Sequence, residues 1–439
     1  MYKSINNRLV GEPNKDLLPE DASKLGAIIG SWYGGGSLVV SGRDYNPSSR
    51  MLKRAFISGL MSVGVDVMDF HESVSGEIGF SIKRFGARGG FIIFSHPWLS
   101  NNVLFRIMAN PGVEIIGAKL KEIIDKTIIN RTEPSNTGWV TYAEYIHRLY
   151  ISALTAQVKS DRIADRKFRV VIDTCHGPAD KILPELLSSL NIDFVLVNAA
   201  KPPQIGSRTY PLISDLYKIY GIVQSINADL GVVFNTDASS MIIIDNEGNI
   251  LLPEETLLVL LKRLPSKSTI LVSDEVFGFI DDILSSVDIN VYRASSEEEL
   301  IKKTVDERPP LSMGYAGDYI NPLFSLSYDA IMAFLKLLEA LTYYDKPLSK
   351  IVMEKTYPRY YVMETSSPII DVSKKICSLD NAYCLPIITG YRIRYMDTRM
   401  ILTINPSNNM SKILIDPTAG NIAELLKSIH KVLKELEQS

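Results

Sequence analysis

The chain predicts an α/β protein built from several layered units. Three observations carry that reading. Up to about residue 355, short apolar segments alternate with segments of helical periodicity, the pattern of strand–helix units on a mostly parallel sheet. The last stretch instead runs through several strands before one helix, which is an α+β pattern. And 439 residues, 46% of them hydrophobic and 22% charged, suffice for two to four domains of ordinary composition.

The first unit opens with the strand Ser37–Ser41, turns at Gly42–Pro47, and continues into a helix from about Ser48 to Val63. Ser48 or Ser49 is the expected N-cap, and Met51, Leu52, Ala55, Phe56, Leu60 and Val63 fall near helical spacing. A second unit opens at Phe168–Asp173, with a loop at Thr174–Ala179 and a helix over Ile182–Leu190. Its strands Leu230–Phe234 and Met241–Ile244 flank a polar loop. The third opens at Thr269–Ser273 and closes with a long helix from Tyr328 to about Tyr343. Strands at Tyr391–Tyr395, Met400–Ile404 and Ile413–Ile415 and a helix over Asn421–Leu436 complete the chain. Boundaries are expected near 151, 250 and 355, dividing it into 1–150, 151–250, 251–355 and 356–439.

Net charge is −3 and the isoelectric point about 6.1, so no basic surface speaks for nucleic acid. No apolar run reaches spanning length, and Met1–Asn6 lacks an apolar signal core. No membrane association and a cytoplasmic location are therefore expected. Three cysteines, with no Cys-x-x-Cys, argue against a disulfide framework or a zinc site. A Cys377–Cys384 bridge stays open but runs against a reducing cytosol.

Five segments carry a resemblance. Gly42-Arg43-Asp44-Tyr45-Asn46-Pro47-Ser48-Ser49 is followed by Gly89-Gly90-Phe91-Ile92-Ile93-Phe94-Ser95-His96-Pro97-Trp98. Next comes Asn235-Thr236-Asp237-Ala238-Ser239-Ser240. Met313–Tyr319 and Asn405–Lys412 complete the set. In this order and at these separations they resemble the alpha-D-phosphohexomutases, the phosphoglucomutase and phosphomannomutase family. The resemblance covers nearly the whole chain. It implies four domains around a central cleft, three α/β with mixed sheets and a C-terminal α+β unit.

The resemblance also assigns roles. Ser95 and His96 match the family's phosphoserine and its His. A serine ester oxygen can serve as both leaving group and nucleophile. Arg8 matches an Arg that stabilises the transferred phosphate, to which a guanidinium offers paired donors. The lysine further along that loop in the family aligns with Phe105. Three family carboxylates hold Mg²⁺, a hard cation that prefers anionic oxygen. Here only Asp237 keeps a carboxylate, beside neutral Asn235 and Ser239, so Mg²⁺ is implied by the family but doubtful in this chain. The sugar-gripping Glu and Ser have become Tyr315 and Gly317, leaving Tyr315 and Asp318 as candidate sugar contacts. In the phosphate-binding loop Ser407 is retained, while Asn405, Asn408 and Asn409 replace the Arg, Gly and Thr, leaving these four as candidate phosphate contacts. Asp329 is most simply a helix-start stabiliser.

These losses share a direction, and phosphoryl transfer depends on positioning and charge stabilisation. The first reading is a catalytically weak or inactive family member, a sugar-phosphate binder or a subunit supporting an active homologue. The alternative is a working mutase interconverting hexose 1- and 6-phosphates through phosphorylated Ser95. The expected ligand is a hexose phosphate, and homo-oligomers are compatible with either reading.

Overall fold

The computed structural model describes residues 3–5, 7–97, 99, 101–143, 145–200, 213–260, 264–356, 360–387, 389–404, 410–418 and 422–437. Four sheets succeed one another along them. The first has eight strands. Its central strand Gly89–Ser95 is wholly buried, with Leu38–Arg43 parallel on one side and Val103–Ala109 antiparallel on the other. Such a doubly covered strand reads as a continuous apolar run, and Gly-Gly-Phe-Ile-Ile-Phe-Ser is that run. Register sets Ser95 opposite Val103 at its end.

One layer over this sheet is the helix pair Pro19–Tyr33 and Pro47–Met61. Gly26 and Gly59 let the two backbones touch. A Cβ on Gly26 would lie 2.1 Å from the Phe56 carbonyl oxygen, and one on Gly59 2.0 Å from that of Ser23. The second helix starts one residue earlier than expected. Its N-cap is Asn46, not Ser48 or Ser49: the Asn46 side chain accepts from the Ser48 backbone N–H, and Pro47 takes the first helical position, where its missing donor costs nothing.

The second and third sheets repeat one topology. In each, three parallel strands end in an antiparallel fourth: Asp193–Val197, Arg169–Asp173, Leu230–Phe234 and Met241–Asp245, then Ile289–Ala294, Ser268–Ser273, Ser312–Met313 and Tyr319–Ile320. They share one core. The helix Ala330–Leu341 is buried on nearly every face, and its Phe334 meets Phe234 of the second sheet edge-on at 6.0 Å. This helix is shorter than the Tyr328–Tyr343 span expected. Asp329 caps it, accepting from the Met332 N–H at 2.9 Å.

The fourth sheet is a five-stranded antiparallel meander, Tyr361–Thr365, Ser411–Ile415, Thr398–Ile404, Gly390–Tyr395 and Tyr383–Ile387, backed by the helices Ile369–Cys377 and Ile422–Glu437. Cys377 and Cys384 form a disulfide here, correcting the expectation against one. A short turn over residues 378–382 leads from the end of the helix Ile369–Cys377 back into the strand Tyr383–Ile387, which brings the two Cα atoms to 6.0 Å, inside bridging range. No helix among the described residues is long and apolar enough to cross a membrane.

Candidate active site

Ser95 sits at the end of its buried strand, 3% exposed. Its hydroxyl donates to Asp44 Oδ2 at 2.8 Å and accepts from Asn46 Nδ2 at 2.9 Å; its N–H also reaches Asp44, at 2.7 Å. The Gly42–Ser49 segment therefore orients this hydroxyl from below. Burial pushes the Asp44 carboxyl above its usual value, and the Ser95 bonds offset only part of that rise. Next to it, His96 Nδ1 accepts from the Leu99 N–H at 3.1 Å. Burial, helped by the nearby Arg8 charge, lowers His96 to about 4, so the ring is neutral at pH 7.

Arg8, on the strand Arg8–Gly11, is clamped from two sides. It makes a two-pronged contact with Glu114, at 2.7 and 2.9 Å, and a second with Glu297, also at 2.7 and 2.9 Å. Glu297 opens the helix Glu297–Glu307 beside the third sheet, so this pair links the first and third units. Glu114 also takes Arg106 at 2.5 Å. Burial alone would push the Glu114 carboxyl up; Arg106 and Arg8 outweigh it and hold it below the usual carboxylate range.

Arg106 was not foreseen. The lost lysine aligns with Phe105, and that position does face the core, against Phe56. Strand alternation turns the next side chain the other way. Arg106 reaches across to the second unit: its Nη2 donates to Ser239 Oγ at 3.2 Å and its Nε lies 3.3 Å from Asp237 Oδ2, an ion pair off line for a hydrogen bond. The rings of Phe94 and Tyr328 lie 5.6 and 5.9 Å from its guanidinium carbon.

The loop after Phe234 is closed on itself. Asp237 Oδ1 accepts from Asn235 Nδ2 at 2.7 Å and Ser239 Oγ at 2.8 Å; Oδ2 accepts from the Ser75 hydroxyl. Asn235 turns its amide nitrogen inward and spends its oxygen on the Ser240 N–H at 3.0 Å. A hard cation needs several outward oxygens. This donor set offers one carboxylate whose oxygens are already engaged, and it does not fit Mg²⁺. Among the described residues, no group of three His, Cys, Asp or Glu is arranged to hold a metal.

The candidate sugar loop docks on that same loop. Met241 N–H donates to the Gly317 carbonyl at 2.9 Å, and Ser240 bridges Asp318. Gly317 has φ +79°, and a Cβ there would lie 2.3 Å from the Met241 carbonyl oxygen. The family serine could not sit at this position without opening the contact. Asp318 is half-buried, and desolvation with the Glu297 charge raises it to about 6, so it is mostly ionised at pH 7. Tyr315 is held through its carbonyl by Arg392 of the fourth sheet.

One cavity joins these parts. Arg8, His96, Asn235, Ser239, Tyr315 and Asp318 all line it, with Arg106, Glu297 and Tyr328. Ser95 and Asp237 are buried and are not among its lining residues. Its volume is about 80 Å³, against roughly 300 Å³ or more for ordinary ligand pockets. Asn405, Ser407, Asn408 and Asn409 lie outside the described residues. Glu297 carried no sequence signal of its own, since an acidic residue at a helix start reads as a dipole partner, and Glu114 lies on the short strand Val113–Glu114 with no motif around it.

The fold and cleft define a multi-unit α/β protein with a buried serine hydroxyl beside a cavity lined by two carboxylate-paired arginines of the first sheet. Two family models match it: the phosphoglucomutase/phosphomannomutase alpha/beta/alpha domain I over residues 8–133 and domain II over 148–248. The chain belongs to the alpha-D-phosphohexomutase family. It is 28% identical to the phosphoglucomutase/phosphomannomutase of Thermococcus kodakarensis, over 81% of this chain and 80% of that one. It is 23% identical to the phosphoglucosamine/phosphogalactosamine mutase of Sulfurisphaera tokodaii, over 97% of each. The crystal structure of a putative phosphomannomutase from Thermus thermophilus superposes over 100% of both chains with a TM-score of 0.77 at 15% identity, a likeness of fold.

Proposed function

We propose that this protein is a phosphohexomutase-family member whose mutase activity is lost or very weak, and that it serves as a sugar-phosphate binder or as a subunit beside an active homologue. The observation that carries this is Arg8. The cation that would steady a phosphate in transfer is spent on two internal carboxylates, Glu114 and Glu297. Among the described residues the charged lining groups balance, Arg8 and Arg106 against Glu297 and Asp318, and buried Glu114 and Asp237 add negative charge behind the two guanidiniums, so no positive charge is left over. A phosphate dianion needs a positive surplus. On this reading the four sheets mark four domains, divided near residues 151, 250 and 355, and the protein works in the cytoplasm.

The partner-subunit version draws on the edge of the first sheet. The edge strand Val140–Tyr142 is flanked by exposed aromatic side chains, Trp139 at 77%, Tyr142 at 63% and Tyr145 at 59%. The working-mutase reading requires Arg8 to leave Glu297, whose side chain is 20% exposed and so partly reachable by solvent.

A coupled assay decides between them. With glucose 1-phosphate, a hexose bisphosphate and Mg²⁺, the wild-type rate should equal that of Ser95→Ala. Turnover that disappears in Ser95→Ala would establish a working mutase.

A further inference from the structure

We propose that the Arg106 guanidinium stands at the station of the family's divalent cation, so that this site carries its own fixed positive charge and takes no metal. This rests on the family reading of the loop 235–240 and deepens it. Three facts converge. Arg106 reaches from the first unit to two of the three loop positions at which metal ligands are expected, Asp237 and Ser239. The third, Asn235, presents its amide nitrogen to that centre rather than its oxygen. And the guanidinium is fixed from behind by Glu114, with the Phe94 and Tyr328 rings nearby.

Charge balance explains why the loop looks eroded. By resemblance, three carboxylates face a doubly charged ion. Here the loop keeps one carboxylate, Asp237, and it faces one singly charged guanidinium that Glu114 also holds. The Asn235 and Ser239 positions and the Arg106 side chain then form a single coordinated change. Without the arginine, a neutralised loop would leave Asp237, 0% exposed, without a positive partner. With three carboxylates retained, one arginine would leave two buried negative charges unpaired, which is costly. A guanidinium also supplies directed donors that match carboxylate and hydroxyl oxygens, so it can replace ion coordination with hydrogen bonds. What it cannot do is exchange: unlike a bound ion, Arg106 cannot leave, and its positive charge repels any divalent cation that approaches.

Mn²⁺, followed by electron paramagnetic resonance, is the probe. Titrated into the full chain to millimolar concentration, it should stay free, and the melting temperature should be the same in Mg²⁺ and in EDTA. The triple variant Arg106→Met, Asn235→Asp, Ser239→Asp should bind one Mn²⁺ at least about tenfold more tightly than wild type and melt higher with metal present. Should that variant not fold, Arg106→Lys decides alongside wild type, since it too should leave Mn²⁺ free. One Mn²⁺ bound per wild-type chain, released by Mg²⁺ and lost in Asp237→Asn, would overturn the assignment. The outcomes separate from those of the function proposed above. Mn²⁺ binding without turnover sinks only the arginine assignment, while metal-independent turnover sinks only the loss of activity.

Discussion

Replacing Arg392 with methionine is expected to destabilise the protein by about 3–5 kcal/mol, the cost of stripping a buried charge of its partner. Arg392 leaves the fourth sheet and enters the third unit. Its side chain is 1% exposed, and it grips Glu254, itself 0% exposed, with contacts of 2.8 and 2.9 Å. It also donates to the Glu275 and Tyr315 carbonyls. Burial pushes Glu254 up and Arg392 holds it below the usual range, so removing Arg392 leaves a buried carboxyl that must stay charged without its partner or take up a proton, and either is costly. The double variant Arg392→Met, Glu254→Gln should recover most of the loss, because the orphaned charge is gone. Denaturant unfolding of the two singles and the double gives the cycle. Additive losses would show that the pair does not act as a unit.

Glu114→Gln should be the second large loss, about 3 kcal/mol at pH 7, because Glu114 is the shared counter-charge of Arg8 and Arg106. Its pH dependence has a definite sign. A carboxyl held below its unfolded value, about 4.3, contributes stability that is present above that pH. That contribution is lost as the pH falls through the depressed folded value. The gap between wild type and variant should therefore be full at pH 7 and narrow below about pH 4. Melting temperatures across that range test it; a gap unchanged down to pH 3 would mean the Glu114 charge is not what stabilises the cleft.

Much of the fold was legible because strand–helix periodicity and buried apolar runs are local signals. Leu230–Phe234 could be read directly from its composition, whereas Gly89–Ser95, taken with the loop 89–98, is a buried strand. The loops' framework was legible for the same reason, since turns and strand ends keep their residue types. What could not be read was which charges meet. Arg8, Glu114 and Glu297 lie far apart in sequence and converge only through the sheet order and the helix start at Glu297. Arg106 was hidden by one step of register: alignment pointed to Phe105, and only the alternation of the strand Val103–Ala109 shows that its neighbour faces the cleft. Cation loss was inferred at a position whose neighbour supplies a cation, one that is already paired. Asn46 was passed over as N-cap for a similar reason, because Pro47 had been read as part of the turn rather than as the first helical residue.

A cleft whose positive groups are consumed internally should not support phosphate transfer to Ser95, and that transfer probes it most directly. Purified protein incubated with a hexose 1,6-bisphosphate and Mg²⁺, then analysed by intact-mass spectrometry, should remain unmodified at Ser95. A phosphoryl group on Ser95 that is discharged on adding hexose phosphate would contradict it.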